Sequence, residues 1–234
     1  MQRPTSLHTV SAAIFDFDFT LADSSIGIFD CANTALAAMG IAPANREAIN
    51  ATIGLSLRES FTRLTGDTTP ERREDFVRLF HSRADKVMVS SAVIYDFVPE
   101  ALRELHARGI TLAVASTKRR IHIESILERE KMADIFAAII GGGDVQNQKP
   151  HPESLLAAMC QLKVLAEECV YIGDSVVDAE AAQRAGMNFI AVLTGVTPRA
   201  EFNSFPQLAT LNHAGELPPW LESSRGGAAL RRNS

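Results

Sequence analysis

No run in this sequence approaches the roughly 18 consecutive apolar residues that a membrane-spanning helix needs, so no membrane partner is expected. Cysteines are few. Cys31, Cys160 and Cys169 are scattered, and none lies in a C-x-x-C pair. That excludes a disulfide framework and a thiolate metal site, and fits small buried side chains in a reducing compartment. Basic residues are in the minority: 23 Lys and Arg against 28 Asp and Glu give a net charge of −5. With no long basic stripe, nothing argues for nucleic acid. The first ten residues lack the apolar segment of a secretory signal, so a cytoplasmic protein is expected. No internal repeat is visible, and no G-x-G-x-x-G dinucleotide motif.

What is there is a chain of 234 residues, 46% hydrophobic and 22% charged. These are the proportions of a globular domain large enough for a sizeable core and an insert. Short apolar runs at residues 12–17, 110–115, 135–140, 169–172 and 189–193 have the length and continuity of strands buried on both faces. Helical spacing fills the intervals, with Pro99 and Pro152 placed to open helices and Gly109 and Gly186 placed to end them. This alternation predicts an α/β fold, a doubly wound parallel (Rossmann-like) sheet of five or more strands.

Residues 22–92 interrupt the alternation. Every periodic segment there has helical spacing, from Ile28 to Met39, near 45–53, through Leu57, Phe61 and Leu64, and from Pro70 through Phe76, Phe80 and Val87. The stretch is expected to be a helical cap inserted after the first strand. Residues 1–21 and 93–222 then form the core. The Gly-, Ser- and Arg-rich residues 223–234 form an expected disordered tail.

Ligands of such sheets sit beyond the C-terminal ends of the strands, so the residues that follow each run matter most. After the first come Asp16, Asp18 and Thr20; after the second Ser116, Thr117 and Lys118. The loop after the third delivers Lys149, and after the fourth come Asp174 and Asp178. Taken singly, each has a bland reading. Asp16 and Asp18 could be a polar turn, Ser116 a helix cap, Lys149 a solvated lysine and Asp178 a complement to a helix N-terminus. Together they form one set of carboxylates, hydroxyls and an ammonium. Oxygen ligands suit Mg2+ or a similar hard cation, and hydroxyls with a lysine suit phosphoryl oxygens.

The motifs Asp16-Phe17-Asp18-Phe19-Thr20, Ser116-Thr117-Lys118, Lys149-Pro150-His151-Pro152-Glu153 and Gly173-Asp174-Ser175-Val176-Val177-Asp178 resemble, in order, those of the haloacid dehalogenase-like hydrolase superfamily. Within it the chain is most similar to the phosphoglycolate-phosphatase-like branch with a small helical cap. The resemblance implies a Mg2+-dependent phosphomonoester phosphatase acting on a small phosphorylated metabolite through an aspartyl-phosphate, in a monomer or homodimer. Asp16 would be the nucleophile and Asp18 the general acid and base. Asp16, Asp174 and the Asp18 backbone carbonyl would hold the metal, and Ser116 and Lys149 the phosphoryl group. Thr20 would steady the loop that carries Asp18, and Asp178 would support the metal shell through water or hold Lys149, while Thr117, Lys118 and the cap residue Arg58 would meet the substrate. Alternatives on the same residues are a phosphomutase of the β-phosphoglucomutase type, which Thr20 disfavours, and an inorganic pyrophosphatase. A non-catalytic binding module is the alternative from another class. One departure from the family pattern is Phe19, where the family usually carries glycine.

Overall fold

The computed structural model describes residues 10–230, and the apolar runs of the sequence form its central sheet. The strands are β1 (Ala12–Phe15), β2 (Ala22–Asp23), β3 (Val93–Ile94), β4 (Thr111–Ala115), β5 (Phe136–Ile140), β6 (Cys169–Gly173), β7 (Asn188–Val192) and β8 (Ala209–Leu211). Six of them make one parallel sheet in the order β5-β4-β1-β6-β7-β8. β1 is central, with Ala12 in register with Thr111 on one side and Cys169 on the other. The chain builds outward from β1 to β5, then returns to β6 on the opposite side. That reversal opens a crevice at the C-terminal ends of β4, β1 and β6.

The core helices are α5 (Val98–Ala107), α6 (Arg120–Arg129), α7 (Glu153–Leu162), α8 (Val176–Ala185) and α9 (Leu217–Leu230), and those of the insert are α1 (Ser25–Ala38), α2 (Arg46–Asn50), α3 (Leu57–Thr65) and α4 (Pro70–Ser91). Ala13 and Phe15 of β1 pack with residues of α5, α6 and α9, whereas Ala12 and Ile14 pack with α7 and α8. Burial on both faces explains why the strands read as unbroken apolar runs. The expected first strand ends earlier than residue 17, because the Phe17 carbonyl accepts from the N–H groups of Thr20, Leu21 and Ala22 and turns the chain.

The insert has its own core, in which the rings of Phe61, Phe76 and Phe80 follow one another at centroid distances of 5.3 and 6.0 Å. Local chemistry sets its helix ends. Asn45 caps α2, and Ser56 with Glu59 forms a capping box on α3. Gly66 closes α3 at φ 75, a left-handed conformation that glycine takes without steric cost. The two chain crossings into the insert pair as an antiparallel ribbon, Ala22 with Ile94 and Asp23 with Val93. The sequence pattern shows no strand there, because two residues are too few to display a period.

The stretch from 223, expected as a disordered tail, is helical through Leu230; residues 231–234 and the amino-terminal residues 1–9 lie outside the described residues. Among the described residues no helix is long and apolar enough to cross a membrane.

Candidate active site

Asp16 follows β1 directly, and its N–H donates to the Ile172 carbonyl on β6. Ser116 follows β4, with its N–H on the Ile140 carbonyl of β5. Asp174 follows β6, and Asp178 lies in the first turn of α8. All four are buried, as is Lys149. One carboxylate oxygen from each of Asp16, Asp174 and Asp178 lies within 4.8 Å of the others.

Lys149 is the cation of this cluster. Its Nζ stands 2.9 Å from Asp16 Oδ1, donates to Asp178 Oδ1 at 2.6 Å and to the Tyr171 hydroxyl at 2.9 Å. The Tyr171 oxygen is also 3.0 Å from Asp178 Oδ1 and 2.9 Å from the Ala115 carbonyl. Asp178 Oδ2 accepts from the Ser175 hydroxyl and N–H, at 2.6 and 3.1 Å, in the capping box of α8. Asp178 is therefore fully occupied in holding Lys149 and the helix start.

Asp16 and Asp174 are less well served. Lys149 Nζ is 2.9 Å from Asp16 Oδ1 as an ion pair, but that buried oxygen has no well-aligned hydrogen bond. Burial pushes the Asp16 carboxyl up to about 6, against the pull of the Lys149 charge. Burial, then the charges of Asp178 and Asp16, push Asp174 well above the carboxylate range. Burial alone would lower Lys149; the charges of Asp16 and Asp178 more than offset it and raise it. Three buried carboxylates around one ammonium leave an excess of negative charge in a poorly solvated place, and a bound cation would relieve it. The Asp16 and Asp174 carboxylates, with an Asp18 carbonyl that receives no backbone N–H among the described residues, form a donor set that fits a hard divalent cation.

Thr20 and Asp18 sit in the turn after β1. The Thr20 hydroxyl donates to Asp174 Oδ1 at 3.1 Å, which ties this turn to β6. Asp18 Oδ1 accepts from Lys118 Nζ at 2.8 Å, and the same ammonium reaches Ser24 Oγ at 3.2 Å, just before α1. Between them Phe19 adopts φ 59 with its ring buried, and its carbonyl accepts from the Thr194 hydroxyl.

Above Asp18 lies a cavity of about 290 Å3 between the cap and the core. Thr117, Lys118 and Arg58 all border it. The Arg58 guanidinium is bound to Glu74 of α4, with one contact at 2.9 Å, and both side chains are more than half exposed, at 54% and 57%. The cap loop closes over the core at Gly54, where an added Cβ would lie 3.5 Å from Ser175 Oγ.

Residues 13–192 match the haloacid dehalogenase-like hydrolase family. The chain belongs to that family. It is 31% identical over 199 residues to the phosphoglycolate phosphatase of Colwellia psychrerythraea, covering 82% of this chain and 88% of the relative. It is 33% identical over 217 residues to that of Cereibacter sphaeroides, covering 89% and 96%. A solved structure described as a haloacid dehalogenase-like hydrolase, from Bacteroides fragilis, superposes with a TM-score of 0.86 at 40% identity, covering 88% of this chain and 99% of the other. The family makes this chain a hydrolase, and both of these curated relatives are phosphatases.

In this haloacid dehalogenase-like hydrolase three residues have roles at the site that no local pattern announces. Tyr171 sits inside a strand buried on both faces, where a phenol needs a partner for its hydroxyl; that need was the available signal. Gly173 allows Asp178 to approach, since a Cβ there would lie 2.7 Å from Asp178 Oδ2. Gly195, after β7, would place a Cβ 1.9 Å from Asp174 Oδ2, and a glycine in a loop gives no chemical hint of that. The run Gly141-Gly142 also has a packing role: a Cβ on either would collide with the backbone of Arg120 or Thr117 at 2.3 or 2.1 Å.

Proposed function

We propose that this chain is a Mg2+-dependent phosphomonoester phosphatase acting on small phosphorylated metabolites through an aspartyl-phosphate on Asp16. The observation that carries the reading is the buried Asp16 Oδ1, without a hydrogen bond, 2.9 Å from Lys149 and grouped with Asp174. A carboxylate so placed has one oxygen beside an ammonium that suits a phosphoryl group and a second oxygen to share with a cation, so it can serve as both nucleophile and metal ligand.

Asp16, Asp174 and the Asp18 carbonyl would hold the metal, which when bound supplies charge neutralisation of the phosphoryl oxygens. An Asp16 oxygen attacks phosphorus, and the bond from phosphorus to the ester oxygen breaks. Asp18, as the acid, gives its proton to the leaving alkoxide. As the carboxylate it then takes a proton from water, which attacks the phosphorus of the acyl phosphate. Phosphate leaves and the Asp16 carboxylate is restored. Ser116 and Lys149 hold the phosphoryl oxygens through both steps, Asp178 and Tyr171 hold Lys149, and Thr20 steadies Asp174. Lys118 positions Asp18.

The test is phosphate release from p-nitrophenyl phosphate with Mg2+, with acid-quench mass spectrometry of the enzyme. The wild type turns over and carries phosphate on the peptide containing Asp16. Equal, slow release by the wild type and Asp16→Asn overturns the reading.

A further inference from the structure

The wall of the cavity above Asp18 is mostly apolar. Ile28, Leu57, Leu64, Phe76, Phe80 and Met88 of the cap face it. At about 290 Å3 it is roughly twice the size of an apolar cavity that takes benzene, about 150 Å3. A glycolate leaving group is far smaller and carries a carboxylate, which needs a cationic partner when desolvated.

The cations at this wall already have partners. Lys118 is bound to Asp18, Arg58 to Glu74, and Arg119 to Asp85 at 2.6 Å. His81 and His122 also border the cavity, and burial is the largest effect holding both imidazoles below their usual range and so neutral near pH 7. The cap hydroxyls are turned inward: Thr52 donates to the Ile49 carbonyl at 2.7 Å, Ser60 to the Ser56 carbonyl at 3.0 Å, and Ser56 to Glu59 at 2.7 Å. Apart from the Thr117 hydroxyl and the Gln148 amide at the core side, the wall left to receive a leaving group is hydrocarbon.

We propose that the preferred substrates are phosphomonoesters whose leaving group is an uncharged apolar body, an arylalkyl or medium-chain alkyl alcohol, in preference to carboxylate-bearing esters such as phosphoglycolate. This rests on the phosphatase reading of the same site and specifies its substrate class. Asp18 borders the cavity, so a leaving group seated there presents its ester oxygen to the proposed acid. Each methylene buried against the cap wall raises kcat/KM by about fourfold until the cavity is filled.

The full-length enzyme with Mg2+ is assayed on ethyl, butyl, hexyl and 3-phenylpropyl phosphate and on phosphoglycolate. The alkyl and arylalkyl esters share a primary-alcohol leaving group, which holds the chemistry constant along the series. A rise in kcat/KM from ethyl to hexyl, with phosphoglycolate no better than ethyl phosphate, is expected. A flat series, or phosphoglycolate above hexyl phosphate, overturns the proposal. Leu57→Lys should shift the hexyl-to-phosphoglycolate ratio by about tenfold or more towards phosphoglycolate. Leu64→Lys makes the same test if the first variant does not fold by circular dichroism. An unchanged ratio in a folded variant counts against the proposal. Turnover of p-nitrophenyl phosphate with a flat series sinks this proposal alone. Failure of every ester, with the wild type no faster than Asp16→Asn, sinks the phosphatase reading as well.

Discussion

Lys118 and Asp18, a hundred residues apart, meet at 2.8 Å, with the ammonium also on Ser24 at the start of the cap. The pair is buried, at 3% and 10% side-chain exposure. One lysine thus connects the turn that carries the proposed acid, the loop after β4 and the first cap helix. Its ammonium also lies over the Phe17 ring, with Nζ 5.7 Å from the centroid.

Lys118→Met removes one partner of this buried pair. The expected cost is about 3–5 kcal/mol of stability, measured by urea unfolding. The proposed proton transfer loses its alignment as well, so kcat falls on the order of 10²-fold, with partial recovery in Lys118→Arg. A kcat unchanged in Lys118→Met, with only KM affected, would remove the positioning role and leave substrate binding.

The proposed Mg2+ binding can be measured apart from turnover. At about 100 times its Kd the ion should stabilise the folded chain by about 2.7 kcal/mol, an expected rise of roughly 5–10 °C in melting temperature for a chain of this size. Asp174→Asn should abolish that rise. A rise of the same size in the variant would place the cation elsewhere.

Phe19 is held at φ 59, which costs a side-chain-bearing residue about 1–2 kcal/mol. Its ring is 7% exposed, and truncating a buried phenylalanine to alanine costs about 3–5 kcal/mol. Burial outweighs strain, so Phe19→Gly and Phe19→Ala both destabilise. Glycine should be the milder change by about 1 kcal/mol. Urea midpoints of the two variants measure the strain directly, and a Phe19→Gly protein more stable than the wild type would reverse the ranking.

His81 and His122 lie where cap helix α4 meets core helix α6. Burial holds both below the ordinary imidazole value of 6.5, more than offsetting the Asp85 carboxylate, which accepts from His122 Nε2 at 2.9 Å when that nitrogen carries the proton. A histidine depressed in the folded state takes up its proton more readily when unfolded. Its contribution to stability is present above the ordinary value and lost as pH falls through the window beneath it. Asp16, raised to about 6, titrates in the same range with the opposite sign, so the histidine effect is read as a difference: the wild-type urea midpoint should fall relative to that of the combined His81→Gln and His122→Gln variant as pH drops below about 6.5. A difference that does not change with pH assigns the slope to other groups.

The alternation of strands and helices was legible because periodicity and helix-end chemistry are local. Pro70 and Pro152 needed no tertiary information, and neither did the unbroken apolar runs of β1 and β6. Placement of Asp16, Ser116, Lys149 and Asp174 followed from one rule about strand ends. Bounds slipped by one or two residues where a loop carbonyl such as that of Phe17 captured nearby N–H groups. The β2–β3 ribbon was hidden because two residues carry no pattern.

By itself, the sequence settled the parallel α/β class, the helical insert and which acids, hydroxyls and lysines gather at one sheet edge. Only the tertiary structure decided how those charges pair. Lys149 goes to Asp178 and Tyr171, Lys118 to Asp18 and Arg58 to Glu74. That leaves Asp16 Oδ1 beside Lys149 at 2.9 Å but without a well-aligned hydrogen bond, and no unpaired lysine or arginine on the cavity wall among the described residues. Pairing depends on distances of about 3 Å between residues up to a hundred positions apart, and on which groups lose water together. Neither is encoded in local spacing, because burial and Coulomb energy depend on the fold as a whole.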